Sequence, residues 1–597
     1  MKTIAQIERK LDNKLIVIGI IAFITLIAYC NSFAIPFLLD DFSSIVNNYD
    51  IRNPFDLRSI WNFYTNRFVL YFTLSINYAI HDTSVYGYHI VNTAIHIFNG
   101  IILYFIINYI LGLNFEKNKL AARFRNVISM VGSLVFVTHP MQINAVSYIV
   151  QRTASLAACF YLLSIFFFLK YRINDKKRYF IFMLISIILA MFTKENTITI
   201  PFMLALLDFM FFLKDREIKW IKRAVILIII FLTVPIIPGT NIFLKGFNQS
   251  DPNLTFKAST SMERNHYFYT QMNVILLYIR LLFIPYGQCF DYSNDFPISK
   301  TIWENNSYIS FIILLIIGLI GLYNFKKNKL LSLGILWFFI GLSVESSFIS
   351  IKDVYFEHRV YFPLAGFVIF LIGLIFPPQS GERIIKPNLV KKSMQAFMVL
   401  SCLIIIMLSG LTIARNYIYS DTIRLWQDTV KKAPNSDRAH SSLAGGYLDS
   451  YEEDKEKNKE HLELAEKEYI ISLQLNPNNS TSRSNLAKVY LLKGEYEKCI
   501  EEAERANKIK KSKYAYNNIG SAYKEMGMLD KAIEAYLEGY KLDNRCTFIL
   551  KALGNTYYEK GDYKNAKFYF EEFLKYNIYS DNEEIRKKLE EIRGFAE

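Results

Sequence analysis

The chain is long, apolar and basic, and this combination excludes an ordinary soluble protein. Its 597 residues are 52% hydrophobic and 16% aromatic, with a mean hydropathy of +0.18 and a formal net charge of +14. Many Lys and Arg residues lie in short segments between apolar runs, where cytoplasmic anchoring of membrane helices explains them better than nucleic-acid binding. The six cysteines show no CxxC or metal-ligand spacing, so the sequence predicts neither a disulfide framework nor a zinc site.

Apolar runs of membrane-spanning length fill the sequence up to about Arg415. The first run, 15–33, follows a basic start and lacks a small-residue cleavage site, so we predict a span with a cytoplasmic amino end rather than a signal peptide. Hydropathy predicts about eleven spans in all. They lie at roughly 14–34, 88–112, 126–139, 145–170, 178–193, 197–213, 222–239, 307–325, 330–349, 361–376 and 394–414.

Two further apolar segments, 68–80 and 272–286, are ambiguous by hydropathy. If both are outer-surface or re-entrant helices, the basic loops all fall on the cytoplasmic side together with the N-terminus. Residues 1–415 then form a membrane domain with outer loops at 35–87 and 240–306. Residues 416–436 are a connecting helix, and 437–597 lie outside the cytoplasm. The basic loops in question are 116–125, 171–178, 214–223, 326–329 and 382–392.

The C-terminal region contains an internal repeat. Ala487, Gly520 and Gly554 are 33 and 34 residues apart, and each is followed three residues later by a tyrosine. This is the tetratricopeptide pattern, in which small residues allow the two helices of a repeat to pack closely. We predict about four repeats from Asp437, a charged insertion at 451–459 and a capping helix at 582–593. The predicted fold is therefore all-α, a polytopic transmembrane bundle followed by an α-solenoid.

Two adjacent carboxylates, Asp40 and Asp41, directly follow the first span. A carboxylate at the membrane surface lies where a lipid-phosphate carrier presents its head group. It can take a proton from an incoming hydroxyl, as inverting sugar transfer requires. The alternative interpretation is a helix N-cap, with Asp41 satisfying amide groups before FSSI.

Several cations are predicted at the outer ends of spans, where they can bind a phosphate. Taken singly, each is also explained as an interfacial anchor whose charge reaches water. Their gathering on one predicted face favours a site. They are Arg67, Arg152, Lys194, Arg264, Arg280 and Arg359.

Six blocks in this order resemble the transmembrane-and-tetratricopeptide-repeat O-mannosyltransferases and their bacterial relatives, a branch of the GT-C glycosyltransferases. The most specific block is HPMQINAVSYIVQRTASLAA at 139–158. The others are DD at 40–41, RFVLYFTLSINYAIHDTSVYGYHIVNTAIHIFN at 67–99, KENTITIPFMLALLD at 194–208, YIRLLFIPYGQCFDYS at 278–293 and EHRVYFPLAGF at 357–367.

The resemblance implies a polyprenyl-phosphate-linked sugar donor, often of mannose, and transfer to Ser or Thr of a protein at the extracytoplasmic face. It implies that Asp41 or Asp40 is the base, with Asp41 preferred. A donor site would be lined by Arg67, His139, Arg152, Lys194, Glu195 and Arg359. Glu357 and His358, which flank Arg359 in the last block, are further candidate binding residues, although His358 between Glu357 and Arg359 is also explained as an ion-paired helix start and His139 as a polar span end. Relatives often read Arg-Pro where this chain has Arg67 followed by Phe68. No cofactor is implied, and the use of a divalent cation is left open.

Four functions remain open at this stage. The first is protein O-glycosylation with the repeats holding the acceptor, and the second is transfer to a glycan or lipid hydroxyl. The third is a non-catalytic membrane-anchored scaffold, and the fourth is a transporter, which the scarcity of mid-membrane charge disfavours. A rigid spacer is the simplest alternative for the repeats. The Lys-, Ile- and Asn-rich composition suits a bacterial inner or plasma membrane, with undecaprenyl phosphate as the carrier.

Overall fold

The computed structural model describes residues 11–114, 124–212, 220–233, 262–292, 295–351, 353–378, 387–577 and 582–593. These residues form helices joined by turns and loops, with no β-strand among them. The all-α prediction is therefore confirmed for the described part of the chain. The chain divides into two compact units, Met1–Phe290 with Phe296–Leu425, and Asp291–Asp295 with Trp426–Glu597.

The first unit contains fifteen described α-helices and the start of a sixteenth. In chain order they are α1 Lys14–Ala28, α2 Leu57–Phe63, α3 Phe68–His81, α4 Val85–Asn114, α5 Arg125–Thr138, α6 Ile143–Val146, α7 Arg152–Asn174, α8 Lys177–Met191, α9 Ile200–Phe211, α10 Trp220–Phe231, α11 Arg264–Phe283, α12 Ser307–Tyr323, α13 Lys329–Leu342, α14 Pro363–Ile375, α15 Pro387–Tyr419 and α16 Thr422–Lys432.

Four helical stretches in the described residues are long and apolar enough to cross a membrane. A fifth candidate is the pair Arg125–Thr138 and Pro140–Val146, which bends by 54°. Helices α1, α13 and α14 are apolar but shorter. The number eleven thus stays a prediction, and positions 234–239 of one predicted span lie outside the described residues. The four stretches are Val85–Leu113, Ile149–Asn174, Glu304–Tyr323 and Lys392–Tyr419.

The first ambiguous segment is helix α3, which has 14 residues. At 1.5 Å per residue it is about 21 Å long, shorter than the apolar core of a bilayer. It packs in a small cluster with Ile45, Ile51, Ile60 and other apolar side chains of the predicted outer loop. The Val69 N–H donates to the carbonyl of Phe192 at 3.0 Å. This bond fixes the start of α3 beside the end of α8.

Helices α13 and α14 pack closely through glycines. Gly334 and Gly341 are seven residues apart on α13, and Gly366 and Gly373 are seven apart on α14. A Cβ on Gly366 would lie 2.8 Å from the Trp337 ring and 2.9 Å from the Gly334 carbonyl oxygen. Small residues allow such close approach of apolar helices, where van der Waals packing replaces the hydrophobic effect.

Replacing Gly334 by valine is expected to destabilise the first unit by about 3 kcal/mol, because the new side chain would overlap the backbone of Phe370. Thermal unfolding of the detergent-solubilised protein measures this. Gly318→Val is the matched control, since nothing lies within 4 Å of a Cβ built at Gly318 on α12. Equal losses for the two variants would contradict close packing at Gly334.

The second unit contains four helix pairs, as the repeat pattern predicts. The four inner (first) helices of the pairs are α17, α19, α21 and α23, and the outer helices are α18, α20, α22 and α24. A closing helix, α25, follows. Their bounds are α17 Asp437–Glu453, α18 Lys459–Leu475, α19 Ser480–Leu492, α20 Tyr496–Ile509, α21 Lys513–Glu525, α22 Leu529–Leu542, α23 Thr547–Lys560, α24 Tyr563–Tyr576 and α25 Glu583–Glu591.

Small residues and turn glycines explain why the sequence forms these pairs. A Cβ on Gly520 would lie 2.5 Å from the Tyr536 ring, and one on Gly554 would lie 2.5 Å from the Phe570 ring. Gly494, Gly527 and Gly561 adopt φ of 78°, 76° and 82° between the two helices of a pair. Glycine adopts this left-handed conformation without the steric cost that a Cβ brings.

The division between the two units, between Leu425 and Trp426, lies within the segment 416–436 that the sequence analysis assigned as a connection. Helix α15 continues to Tyr419, and the second compact unit begins at Trp426. This unit also includes Asp291–Asp295, which the sequence assigned to an outer loop of the membrane domain. Asp291 accepts hydrogen bonds of 2.5 and 2.7 Å from the Arg438 guanidinium. An ion pair that joins positions 147 residues apart leaves no signal in local sequence.

Candidate functional site

A small cavity in the first unit brings together residues from three of the six blocks. Lys194 of the fourth block and His358 and Arg359 of the sixth line it. The block at 139–158 contributes Ala154, Ala157 and other small residues of α7. Alanine leaves space at a helix surface, so this block forms a wall of the cavity.

Two ion pairs are formed by Lys194, which lines the cavity, and by Glu195, the next residue in the chain. Lys194 Nζ lies 2.7 Å from Glu345 Oε1, and the two side chains are only 8% and 9% exposed. Arg67 donates to both carboxylate oxygens of the neighbouring Glu195, with a closest distance of 3.1 Å. Asn196 donates to the other oxygen of Glu345 at 3.2 Å. Arg67 and Lys194 are thus connected through neighbouring ion pairs, and their role in binding a donor stays a prediction.

Arg359 differs from the other two cations because its hydrogen bonds go to neutral acceptors. It donates to the Tyr267 hydroxyl at 3.3 Å, to the Val354 carbonyl at 3.0 Å and to the Asp353 carbonyl. The Tyr267 hydroxyl in turn donates to the Glu345 carbonyl at 2.6 Å. These bonds hold the guanidinium in place, and none of them is to a carboxylate.

His358 and Glu357 are held by different partners. The Nδ1 of His358 donates to Asn144 Oδ1 at 2.8 Å, and the imidazole stacks on the ring of Phe356. Glu357 is fully buried and accepts from Gln288 Nε2 at 3.2 Å and from the Tyr355 hydroxyl at 3.3 Å. His358 lines the cavity. Glu357 instead hydrogen-bonds to Gln288, in the segment that precedes Asp291.

The structure distinguishes the two adjacent carboxylates. Asp41 is 0% exposed, and its oxygens accept backbone N–H bonds from Leu38 at 2.9 Å and Val150 at 2.7 Å. Burial raises the pKa of Asp41 to about 8, although the two N–H bonds act in the opposite direction. Asp40 is exposed, and its backbone N–H donates to the Tyr148 hydroxyl at 2.9 Å.

Because Asp41 is buried and Asp40 is exposed, we propose Asp40 as the base, whereas the sequence analysis preferred Asp41. Asp41 does satisfy amide groups, as the alternative interpretation proposed, but they belong to Leu38 and Val150 rather than to the helical turn that follows. The charges of Asp40, Arg67 and Glu195 all act on the Tyr71 hydroxyl. Asp40 thus lies on the same side of the unit as the Arg67 pair.

Arg152 and His139 have structural partners. Arg152 is 0% exposed and donates to Asn92 Oδ1 at 2.6 Å and to the carbonyls of Tyr88 and Thr73. His139 accepts the Met141 N–H on Nδ1, and its Nε2 donates to the Leu282 carbonyl at 3.1 Å. Their contacts join α3, α4, α7 and α11, so we interpret both as supports of the bundle rather than as donor ligands.

Arg264 and Arg280 are exposed and are not part of the cavity lining described above. Arg264 is the first residue of α11, and Arg280 donates to the Tyr286 carbonyl at 3.2 Å. The sequence argument for these two rested on the predicted outer face alone. Their role in binding a donor stays a prediction.

Glu345 is the residue at this cavity that sequence reasoning missed. It lies in the apolar run 330–349, which was taken as a plain membrane span. A carboxylate in such a run is costly unless it is paired, and it is therefore a signal of a buried partner. Lys194 is that partner in the structure.

An apolar groove shares helix α13 with the cavity. Helices α13 and α14 contribute Gly334, Phe338, Phe367 and other apolar side chains to it, and α11 and α12 contribute the rest. Its empty volume is about 640 Å³. Gly341 lines the polar cavity and Gly334 lines the groove. The two glycines are seven residues apart, so they are separated by about 10 Å along the axis of α13.

The described residues contain no group of three or more His, Cys, Asp or Glu side chains that could hold a metal ion. Asp40 and Asp41 therefore have no third such side chain arranged with them.

Comparison with known proteins adds to this geometry. The tetratricopeptide-repeat family model matches residues 514–546 and 552–577, in the third and fourth helix pairs. The chain is 25% identical to the protein O-mannosyl-transferase F38B6.6 of Caenorhabditis elegans over 72% of its length. It is 23% identical to the human protein O-mannosyl-transferase TMTC1 over 77%, and 22% identical to human TMTC4 over 72%.

The resemblance to these O-mannosyl-transferases is confirmed. The matched regions cover 59%, 55% and 63% of the three relatives, so the chain spans little more than half the length of the proteins it matches. The similarity extends well beyond the repeats, because the repeat unit alone accounts for less than a third of the chain. Membrane bundle and repeats are thus matched together.

Proposed function

We propose that this chain transfers a sugar, mannose or another hexose, from a polyprenyl-phosphate carrier to Ser or Thr hydroxyls of proteins. The reaction takes place at the extracytoplasmic face, and in a bacterial membrane the carrier is undecaprenyl phosphate. The names of the similar proteins support O-mannosylation as the class of reaction. The geometry of the site supports a lipid-phosphate-linked sugar as the donor.

The observation that carries the proposal is the charge balance of the cavity. Arg67 pairs with Glu195 and Lys194 with Glu345, whereas Arg359 hydrogen-bonds only neutral acceptors. The Glu345 and Asp353 carboxylates act on Arg359 from further away, so its guanidinium charge is only partly balanced. A sugar linked to a lipid through one phosphate is a phosphodiester with a single negative charge, and a planar guanidinium binds phosphate oxygens well.

The arrangement of these charges also fits the changes in charge during the reaction. Asp40 accepts the proton of the Ser or Thr hydroxyl, and the hydroxyl oxygen attacks the anomeric carbon with inversion. The bond from that carbon to the phosphate oxygen breaks, and its electron pair remains on the phosphate. Asp40 loses one negative charge while the phosphate gains one. The neighbouring cations stabilise the negative charge that develops on the phosphate, and this stabilisation is strongest in the transition state.

The apolar groove supports a lipid carrier rather than a nucleotide sugar. Gly341 at the cavity and Gly334 at the groove share α13, so a ligand with a charged head and an apolar tail can extend along this helix. The groove side chains Phe338, Phe367 and Phe370 are aromatic and have no polar atoms. A nucleoside diphosphate would place hydroxyls and a second charge against them, at a large desolvation cost.

Reconstitution of the full-length chain tests the proposal. Vesicles containing the protein are supplied with polyprenyl-phosphate-linked mannose and a Ser/Thr-containing peptide, and mass spectrometry measures hexose addition to the peptide. We expect hexose on Ser or Thr with the lipid donor and none with the nucleotide-linked sugar as sole donor. Transfer from the nucleotide sugar alone, or no transfer from any hexose carried on the lipid, would overturn the proposal.

A further inference from the structure

The turn that carries Asp40 has a strained backbone. Leu39, the residue before it, has a φ of 37°. A Cβ makes this left-handed conformation uncommon and costly for residues other than glycine. Two backbone bonds close the turn, from the Asp41 N–H to the Leu38 carbonyl at 2.8 Å and from the Phe42 N–H to the Leu39 carbonyl at 3.2 Å. Strained conformations persist only where the surrounding structure holds them. The contacts of this turn therefore decide where the Asp40 carboxylate lies.

Two contacts from one short stretch of chain hold the turn. The Tyr148 hydroxyl accepts the Asp40 N–H at 2.9 Å, and the Val150 N–H donates to Asp41 Oδ1 at 2.7 Å. We name the stretch Tyr148–Val150 the Asp40 clamp. It belongs to the block at 139–158, which carries the most specific part of the family resemblance. The reaction as proposed above gives this stretch no role.

The Tyr148 hydroxyl makes two kinds of contact with Asp40. Besides accepting the backbone N–H, it forms a side-chain hydrogen bond with Asp40. A phenol has one proton to donate, and an ionised carboxylate can only accept, so the hydroxyl donates to the carboxylate. A hydrogen bond to a carboxylate favours its charged form. One hydroxyl thus holds the turn and favours the ionised state that a base requires.

Tyr148 is itself held firmly. It is 1% exposed, and its ring packs edge-on against Phe290 with centroids 5.7 Å apart. The hydroxyl of the preceding residue, Ser147, donates to Asn416 Oδ1 of α15 at 2.7 Å, and both of these side chains are buried. A reacting group is positioned most accurately by side chains that packing and hydrogen bonds already fix. The Asp40 clamp meets this condition.

We propose that Tyr148 is a positioning residue for Asp40, whose hydroxyl holds the strained turn and orients the carboxylate that removes the acceptor proton. This deepens the proposed function and rests on it in one respect, that Asp40 is the base. Because Tyr148 is buried, it acts through Asp40 and does not contact the reacting atoms. Without the hydroxyl, the carboxylate is free to rotate and is protonated more easily.

Replacing Tyr148 by phenylalanine tests the proposal, since it removes the hydroxyl and keeps the ring. We expect kcat to fall about tenfold, because a misplaced base reacts slowly, with KM for the lipid-linked donor unchanged. The acid limb of the pH–rate profile should move up by about one pH unit. Tyr104→Phe is the matched control. Tyr104 is also 1% exposed, its hydroxyl donates to Asn126 Oδ1, and its loss should change neither quantity.

The other titratable groups around Asp40 do not reverse this shift. Its charge also acts on Asp41 beside it and on Tyr71 of α3, and Tyr71 further responds to the Arg67–Glu195 pair. Burial raises the pKa of Asp41 to about 8, so this carboxyl is uncharged along the acid limb. Phenols are neutral there as well. Because all of these groups are present in both proteins, the difference between the two profiles reports the lost hydroxyl.

A double variant separates positioning from a general loss of structure. Tyr148→Phe should cost nothing further in Asp40→Asn, because asparagine cannot accept a proton in any orientation. Equal fold-losses in the two backgrounds, or an acid limb that does not move, would overturn the proposal. A wild-type rate in Asp40→Asn would overturn it too, by removing the base on which Tyr148 acts.

Hydrogen exchange tests the contact without any sugar donor. The Asp40 amide should exchange faster in Tyr148→Phe than in Tyr104→Phe, because only the first substitution removes its acceptor. Equal exchange in the two variants would show that Tyr148 does not hold the turn. Since this measurement needs no transfer, the contact can be observed even if no sugar is transferred. Failure of the positioning role and failure of the proposed function are therefore told apart.

Discussion

Replacing Asp40 by asparagine is expected to lower the rate of sugar transfer by about 10²–10⁴-fold, the range that a general base contributes. Asparagine keeps the size of the side chain and the backbone bond from the Asp40 N–H to Tyr148 but cannot accept a proton. Because Asp40 is exposed, folding should change little. The rate is measured by mass spectrometry of hexose addition to a peptide, with the lipid-linked donor at saturation.

Two controls separate a base from an ordinary loop acid. Asp56→Asn changes another carboxylate of the outer loop, whose Oδ1 accepts the Ser59 N–H at the start of α2, and asparagine caps a helix equally well. It should transfer sugar at the wild-type rate. Asp41→Asn should lower thermal stability, because one of the two N–H groups now bonded to the carboxylate would face an amide NH2. A full rate in Asp40→Asn and a lost rate in folded Asp41→Asn would restore the preference from sequence.

Sequence reasoning predicted the helical content and the repeats because both leave local signals. The tetratricopeptide pattern needs small residues at fixed spacing, and Gly520 and Gly554 are the positions at which a Cβ would overlap the Tyr536 and Phe570 rings. The ordered blocks likewise led to the O-mannosyltransferase resemblance. In these cases, each residue acts on neighbours within its own repeat or block.

What could not be predicted depends on distant contacts. The apolar run 145–170 gave no sign that Arg152 would turn to Asn92, Tyr88 and Thr73 instead of the cavity. Hydropathy also cannot show where a run bends, as it does at His139 between Thr138 and Pro140. The choice between Asp40 and Asp41 required the positions of the Leu38 and Val150 amides.

Replacing Lys194 by methionine is expected to destabilise the first unit by about 3–5 kcal/mol, because it leaves the buried Glu345 carboxylate without its ion-pair partner. The remaining Asn196 bond to Glu345 is neutral and offsets only part of this cost. Thermal unfolding in detergent measures the change. Lys587→Met is the matched control, since that lysine forms an exposed pair with Glu583 and should cost less than about 1 kcal/mol.

Adding Glu345→Gln to Lys194→Met separates structure from donor binding. The double variant removes both charges of the pair, so we expect most of the lost stability to return. Sugar transfer should nevertheless stay low, with a raised KM for the lipid-linked donor, because Lys194 lines the cavity and is one of the cations that we propose to stabilise the departing phosphate, even though its pairing with Glu345 leaves the net charge unchanged. If transfer recovered together with stability, Lys194 would serve only to hold Glu345, and binding of the phosphate would fall to Arg359 and Arg67.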